Sequence, residues 1–292
     1  MVILLADAFT ADLPKRLEAF GTVVSDMAKV ADAEIIIVRS KTKVTKEVID
    51  AAPKLKFVIR GGVGVDTIDV PYAESKGITV TNTPEASSVA VAELAFAMMI
   101  ALPANIAEAD ASMKQGKWLK KELERTELLG KTLGLVGIGR IAREVAVRAK
   151  AFGMRVIAYD KYVQKSDAAE MMSLEQVYAQ ADYISLHTPL TDETRGMINS
   201  AAIAKMKPGM RIVNTCRGQV IIEEDVAAAL KEGKLAGYAA DVFYKEPPEG
   251  SPLLSAPHTV FAPHLGASTA ENLIRLGDCI VERVENYSKG VK

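Results

Sequence analysis

The chain is poor in several things that would announce a function. Among its 292 residues are only two cysteines, Cys216 and Cys279. They form no Cys-x-x-Cys pair and no zinc-ligand spacing, which argues against a structural metal module and predicts no metal site. Nor do they suggest a disulfide framework; free thiols suit a reducing cytosol. There is no charge of one sign in excess, since 36 basic residues face 37 acidic ones. Bulk electrostatics therefore favour neither a nucleic-acid partner nor a membrane surface. The most apolar helix-like run, 94–104, falls well short of the roughly 20 residues of a bilayer span. The opening MVILLADAFTADLPKRL has no basic stretch ahead of its apolar run, so it does not read as a secretory signal. No low-complexity segment or short internal repeat is present. These absences predict a cytoplasmic, soluble protein, and the length suits two domains.

What the chain does have is alternation. Short β-branched runs such as VILLADAF (2–9), TVVS (22–25), EIIIVRS (34–40), KFVIRGG (56–62) and ITVTNT (78–83) are separated by helical patterns near 11–20, 45–52 and 69–76. From residue 131 the series restarts with TLGLVGIG, RVIAYD, YISLHTP, RIVNTC, LAGYAADVF and TVFAPH. Alternating β and α segments at this spacing predict parallel sheets with helices on both faces. Two series predict an α/β protein of two doubly wound domains. Between them, 85–118 reads as a long helix interrupted near Leu102-Pro103. Its alanine- and methionine-rich face reads as core.

The second series opens with Gly137-x-Gly139-x-x-Ala142, ending a predicted strand and starting a helix over 140–152. The first glycine permits the tight turn and the second lets backbone approach a pyrophosphate. A small third residue allows close helix–strand packing. The helix N-terminus offers free N–H groups and the positive end of its dipole to phosphate. The next strand, RVIAYD, ends in Asp160, about 20 residues on, where an acid accepts from ribose hydroxyls and repels a 2′-phosphate. The expected cofactor is NAD rather than NADP.

Ligands of parallel sheets sit beyond the carboxyl ends of the strands. Those ends collect polar residues from distant parts of the chain: His187, Thr188 and Pro189; Thr215, Cys216 and Arg217; Asp241 and, five residues on, Glu246; then His264. Three histidines are few enough to weigh singly. His258 lies in a polar loop and reads as surface, while His187 could equally be a cap. His264 shares its rim with Glu246 and Arg217. A carboxylate beside an imidazole fixes its tautomer and makes it a better base. An arginine fork can hold a planar carboxylate through two hydrogen bonds.

On these residues the chain resembles the D-2-hydroxyacid dehydrogenases: Arg217 in TCRG, Glu246 in DVFYKEPP and His264 in APHLGAST, downstream of GLVGIGRIA, with RGGVGVDTID and NTP in the first series. The stretches VRSKTKVT, ASMKQGKW and ELLGKTLGLVGIGRIAREVAVRAKAFGM extend the likeness to the branch that acts on a phosphorylated 2-hydroxy acid. The resemblance implies a discontinuous flavodoxin-like substrate domain, 1–101 plus 267–292, and a Rossmann NAD-binding domain, 102–266, with the active site in the cleft between them. It implies a short form without a C-terminal regulatory domain. It also implies a homodimer or homotetramer formed through the long helix after Asn82, against the reading of that helix as core.

By the same resemblance, Arg217, Glu246 and His264 are catalytic. NAD would be bound by Val63, Gly137, Gly139, Arg140, Ile141, Asp160, His187, Thr188, Pro189, Thr215, Cys216, Asp241, Gly266 and Ala267, with Asp241 near the nicotinamide carboxamide. Substrate would be held by Arg217 and the backbone N–H groups of Gly61, Gly62 and Val63. Its phosphate would meet Arg39, Arg60 and Lys120. Three positions depart from the family pattern. Glu85-Ala-Ser-Ser stands where a Gly-Asn pair is usual, Lys120 where an arginine is expected, and Ile222 where an aspartate would cap the helix 223–231. Cys216 reads as a small residue lining the cofactor rather than a nucleophile, because hydride transfer needs no covalent intermediate and no base is placed for it. Three other readings remain: a glyoxylate or hydroxypyruvate reductase on the same fold, a D-lactate-type or other D-2-hydroxyacid dehydrogenase, and an NAD-sensing corepressor-like binding protein.

Overall fold

The structure is a computed structural model that describes residues 1–290. The first series forms β1 (Val2–Leu5), β2 (Thr22–Val24), β3 (Ile35–Val38), β4 (Phe57–Arg60) and β5 (Thr79–Asn82). They make one sheet in the order β2-β1-β3-β4-β5, with every pairing parallel. The second series forms β6 (Thr132–Val136), β7 (Arg155–Tyr159), β8 (Glu170–Met171), β9 (Tyr183–Leu186), β10 (Met210–Asn214), β11 (Leu235–Ala240) and β12 (Thr259–Phe261). Their order is β12-β11-β10-β9-β6-β7-β8, again all parallel. Both are doubly wound, with the order reversing between β1 and β3 and between β6 and β9. Parallel strands covered on both faces need apolar side chains at successive positions. Ile35, Ile36, Ile37 and Val38 meet that need, all with no solvent exposure. The strands stop earlier than their apolar runs suggest, because the polar residues after them belong to the loops at the sheet's carboxyl edge.

By packing, the chain divides into one unit of Met1–Ser88 with the residues from Ala267 onward, and another of Val89–Gly266. The first crossing thus falls at Ser88/Val89, ahead of the expected 101/102. The cause is the helix Ser88–Ala104. Ala92, Ala95, Phe96, Met98, Met99 and Leu102 pack in one core with Leu133, Leu135, Val213 and Ala239 of the second sheet. Its alanine–methionine face is therefore core within the chain. The expected break near Pro103 lies at Asn105, whose left-handed backbone (φ 52°) separates this helix from Ile106–Lys114. Among the described residues no single helix is long and apolar enough to cross a membrane; those two would suffice only together, and they are bent by 65°.

In the first unit, the returning helix Ala270–Ser288 lays Ile280 and Val284 against Ile3, Leu13, Ile35 and Ile59. Tyr287 stacks on Phe57 with ring centroids 5.0 Å apart. The helix begins at Thr269, whose side chain accepts from the Asn272 N–H. A second apolar cluster, including Leu4, Ile36, Val58 and Ile78, covers the other face. The two-residue strand β8 escapes sequence reading because its length gives no periodicity.

Candidate active site

The glycine turn after β6 is built as a ligand cradle. Gly137 has φ 95°, and a side chain there would meet the His187 carbonyl oxygen at 2.5 Å. The turn therefore packs directly on the end of β9, at the reversal of the sheet. Gly139 differs: a Cβ there would meet no protein atom within 4 Å. It stands at the N-cap of Arg140–Ala151 and supplies no side-chain cap. The bare N-terminus of this helix begins with Arg140 and Ile141 beside that open space, the arrangement suited to a pyrophosphate.

Asp160 follows β7. Its carboxylate accepts the N–H groups of Ile138 (3.0 Å), Tyr162 (2.9 Å) and Val163 (3.1 Å). Partial burial works to raise its pKa, but these three amides outweigh that and hold it below the usual carboxylate range. A carboxylate offers about four acceptor sites, so one remains for a ribose hydroxyl. Beyond β9 and β10, the His187 Nδ1 and Thr215 Oγ1 are buried with no protein hydrogen-bond partner. The other ring nitrogen of His187 lies 2.9 Å from Ser185 Oγ. Burial alone pushes this histidine's pKa down to about 4, so its neutral ring is held ready as a hydrogen-bonding group rather than as a charge. Thr188 is half-buried and Pro189 exposed on the same loop. Open space at Gly139, an ionised Asp160 and unpaired polar atoms at the rim together fit a dinucleotide.

On the same rim, His264 Nδ1 lies 2.7 Å from Glu246 Oε2. The hydrogen bond to Glu246, then the charges of Glu246 and Asp241, raise the His264 pKa against burial and the opposing charge of Arg217. Partial burial would lift Glu246, but His264, the Phe243 N–H and Arg217 hold its carboxyl below the usual range. The other Glu246 oxygen accepts that Phe243 N–H at 3.2 Å. Arg217, Glu246 and His264 are thus one electrostatic group. The pair is half-open, His264 being 47% and Glu246 38% exposed in their side chains. That leaves room for a substrate.

Asn214, the last residue of β10, explains how Arg217 is presented. Its Oδ1 accepts the Cys216 N–H at 3.1 Å and its Nδ2 donates to the Arg217 carbonyl at 2.9 Å. It is fully buried. Sequence reasoning passed over it, although a polar residue closing an otherwise apolar strand was a usable signal. The Cys216 Sγ also lies 3.2 Å from Asn214 Oδ1. Burial pushes this thiol's pKa up, the reverse of what a nucleophilic cysteine requires. Arg217 itself donates to the Cys216 carbonyl at 2.6 Å.

Several placements differ from expectation. Asp241 is 2% exposed, and its carboxylate accepts the N–H groups of Leu265 (2.6 Å) and Gly266 (2.7 Å). Its carbonyl accepts the His264 N–H at 2.9 Å. It therefore builds the turn that carries His264, with each carboxylate oxygen already accepting one amide. Burial raises its pKa in spite of those amides. Among the three amides expected to hold a substrate carboxylate, Gly61 N–H already donates to Val38 O at 2.8 Å and Gly62 N–H to Thr83 Oγ1 at 2.8 Å. That leaves Val63, which is 40% exposed. Ala267 gives its carbonyl to Asn272 Nδ2 at 2.6 Å.

The cations expected around a phosphate do not form one group within either unit. Arg39 and Arg60 belong to the first unit and Lys120 to the second. Arg60 donates to the Gly61 carbonyl and, at 3.3 Å, to Ser40 Oγ, which adjoins Arg39. Arg39 donates to the Ala8 carbonyl at 3.2 Å and stacks over Phe9 at 5.9 Å. Lys120 stands exposed on the loop after Ile106–Lys114. Ile222 caps its helix without a side-chain bond, and His258 is exposed. Among the described residues no cluster of three or more His, Cys, Asp or Glu could hold a metal ion. Two cavities of about 300 and 350 Å³ open elsewhere in the second unit, one bordered by Glu223, Tyr244 and Ser251, the other by Asn105 and His258.

Comparison with known proteins identifies relatives of the chain. Residues 96–266 match the model of the D-isomer specific 2-hydroxyacid dehydrogenase NAD-binding domain. The chain is 45% identical over 302 aligned positions to a D-3-phosphoglycerate dehydrogenase of Methanocaldococcus jannaschii, covering 99% of this chain and 57% of that one. It is 48% identical to a hydroxypyruvate reductase of Thermotoga maritima, covering 88% of this chain and 86% of that one. A glyoxylate reductase from Paecilomyes thermophila superposes with a TM-score of 0.92 at 30% identity, covering 99% and 95% of the two chains. The chain thus spans little more than half the length of the first of these relatives.

Proposed function

The chain belongs to the D-isomer specific 2-hydroxyacid dehydrogenase family, with that family's NAD-binding domain over 96–266, and on that premise we propose that it oxidises D-3-phosphoglycerate to 3-phosphohydroxypyruvate. This is the entry step of serine synthesis. The observation that carries the reading is the His264–Glu246 pair at 2.7 Å, electrostatically coupled to Arg217. The chemistry that bound NAD would supply is that of an acceptor for the hydride of C2. Gly137, Gly139, Arg140 and Ile141 would hold its pyrophosphate, Asp160 its ribose, and the polar edge at His187, Thr188, Pro189, Thr215 and Cys216 its nicotinamide half. Gly266 and Ala267 would complete that edge, and Val63, 40% exposed, is a further candidate for the cofactor.

The protein's own groups handle the proton and the charge. With Nδ1 committed to Glu246, His264 presents Nε2 to the substrate hydroxyl and takes its proton as the C2–H bond breaks. Glu246 keeps the ring oriented and stabilises the imidazolium that results. In the reverse direction the same imidazolium returns the proton to the carbonyl oxygen. Arg217 holds the substrate carboxylate, and a charge-assisted fork there fixes the position of C2. Favourable orientation of this kind can be worth about 7–11 kcal/mol of barrier. Arg39, Arg60 and Lys120 would receive the phosphate, Lys120 as a point charge without a fork.

Hydroxypyruvate reduction is the second reading, supported by the Thermotoga maritima relative, which this chain covers over most of its length. Parallel assays with 3-phosphoglycerate, 3-phosphohydroxypyruvate, hydroxypyruvate, glyoxylate and D-lactate, each with NAD(H) and NADP(H), separate the two. The phosphoglycerate reading requires the highest kcat/KM on the phosphorylated pair with NAD(H). A preference for hydroxypyruvate or glyoxylate would overturn it in favour of the reductase. The reading carries a homodimer or homotetramer with it. Exposed Ile106, Met113, Trp118 and Leu129 supply apolar surface for one, and light scattering on the eluted protein measures its mass.

A further inference from the structure

The segment that presents Arg217 also grips the segment that presents Glu246. Three contacts fall on one stretch, Phe243-Tyr244, just ahead of Glu246. Gly218 lies so close that a Cβ there would sit 1.9 Å from the Phe243 carbonyl carbon. Gln219 Nε2 donates to the Tyr244 carbonyl at 2.7 Å. The Glu223 carboxylate accepts the Tyr244 N–H at 3.0 Å, and its other oxygen accepts the Ser251 hydroxyl at 2.6 Å. Both backbone polar groups of Tyr244 are therefore held by side chains from the turn and helix that follow Arg217.

Glu223 is the unusual member. It opens the helix Glu223–Lys231, a place where acids normally face water and interact with the helix dipole. Here it is only 9% exposed. Burying a carboxylate is costly unless its oxygens are hydrogen-bonded, and both oxygens of Glu223 are spent on the loop that carries Glu246. Neighbouring Glu224, by contrast, is exposed, so the position and not the local composition selects burial. Helix capping does not require this arrangement, since the Glu223 bonds run to residues 21 and 28 positions away.

We infer that Glu223, assisted by Gln219, is a positioning residue for the reaction: it fixes the Glu246 loop to the Arg217 turn so that Glu246 meets His264 while Arg217 faces the carboxylate. The inference rests on the roles given above to Arg217, Glu246 and His264. It makes Glu223 act through Glu246 and not on the substrate. Releasing the clamp lets Glu246 drift, and a displacement near 1 Å can cost on the order of 10²-fold in rate.

The test is kinetic. Glu223→Ala, Glu223→Gln, Gln219→Ala and Glu246→Gln are compared with the unaltered protein, along with the double variant Glu223→Ala/Glu246→Gln. The pH profile of kcat/KM is followed in both directions. The groups facing His264 are Glu246, Asp241 and Arg217, and of these the clamp governs Glu246. Glu223→Ala is expected to lower kcat on the order of 10²-fold, with a smaller loss for Glu223→Gln, which retains one acceptor oxygen, and for Gln219→Ala. The KM for NAD should stay unchanged. The limb set by His264 should move to lower pH, in the same direction as for Glu246→Gln. The double variant should be little worse than Glu246→Gln alone, because the two act as one unit. If Glu223→Ala does not fold, the Gln variants carry the same test. Losses additive with Glu246→Gln, or an unmoved pH limb, would overturn the positioning role and leave Glu223 as a purely structural contact. His264→Ala, run alongside, tells the two failures apart: its full activity would overturn the underlying reading, whereas an inactive His264→Ala beside wild-type Glu223 variants overturns this inference alone.

Discussion

At the carboxyl ends of β3 and β4 of the first sheet stand Arg39, Ser40 and Arg60, with Arg60 bonded to Ser40 Oγ and the Gly61 carbonyl. Beyond β10, β11 and β12 of the second stand Arg217, Asp241, Glu246 and His264, with the histidine and Glu246 2.7 Å apart. The two edges are alike in being polar margins of parallel sheets, but they differ in what they can do. Arginines stay protonated at any working pH, so the first edge can hold an anion and cannot move a proton. The second mixes signs around an imidazole whose pKa its neighbours raise, so it can do both. On the proposed reading, the first unit recognises the substrate and the second transforms it.

The sharpest way to break this contrast is His264→Ala. Its kcat should fall by about 10²–10⁴-fold, the usual value of general acid–base catalysis, with NADH binding by fluorescence titration intact. Near-normal turnover would end the proposed mechanism. Arg60→Ala should act on recognition instead. The KM for a phosphorylated substrate should rise roughly 10-fold or more, in line with one charge-assisted hydrogen bond. The KM for glyoxylate should not move, and a loss confined to kcat would contradict the division. Arg39→Ala should do the same more weakly, about 2–5-fold. Its contacts are a 3.2 Å bond and a ring at 5.9 Å, and exposed contacts of the latter kind contribute about 0.5–1 kcal/mol.

The smallest expected effect is a displacement of a pH profile. Glu246 favours the protonated form of His264, so its pKa lies above the ordinary imidazole value. Reduction needs that proton, so its kcat/KM is high below this pKa and falls as pH rises through it. Oxidation needs the neutral ring and rises through the same value. Glu246→Gln removes the raising charge, so both limbs should move to lower pH. A shift to higher pH would show that Glu246 does not set the His264 pKa.

Much of the candidate catalytic edge was legible in the sequence because strand ends are easy to find when strands are continuous apolar runs. Given β9 to β12, the residues following each had to share a rim. Other features were not legible because they depend on which hydrogen bonds the backbone has already made. Nothing in RGGVGVD indicates that the amides of Gly61 and Gly62 are taken by Val38 and Thr83. DVF does not reveal that Asp241 serves Leu265 and Gly266. The acids Glu223 and Glu224 look alike at a helix start, and only tertiary packing buries the first. The division by packing differs from the expected one for a related reason. Composition marks 94–104 as apolar but cannot say which of two sheets it would cover.

His264 carries one further consequence. Its backbone lies in the left-handed region, φ 54°, where an L-residue typically costs about 1–2 kcal/mol and glycine costs nothing. The Asp241 carbonyl and carboxylate pin the turn in that shape. On the proposed reading, stability and turnover therefore pull this one codon in opposite directions. A library screened only for heat resistance would be expected to accumulate glycine or asparagine here, and would discard the enzyme while improving the fold.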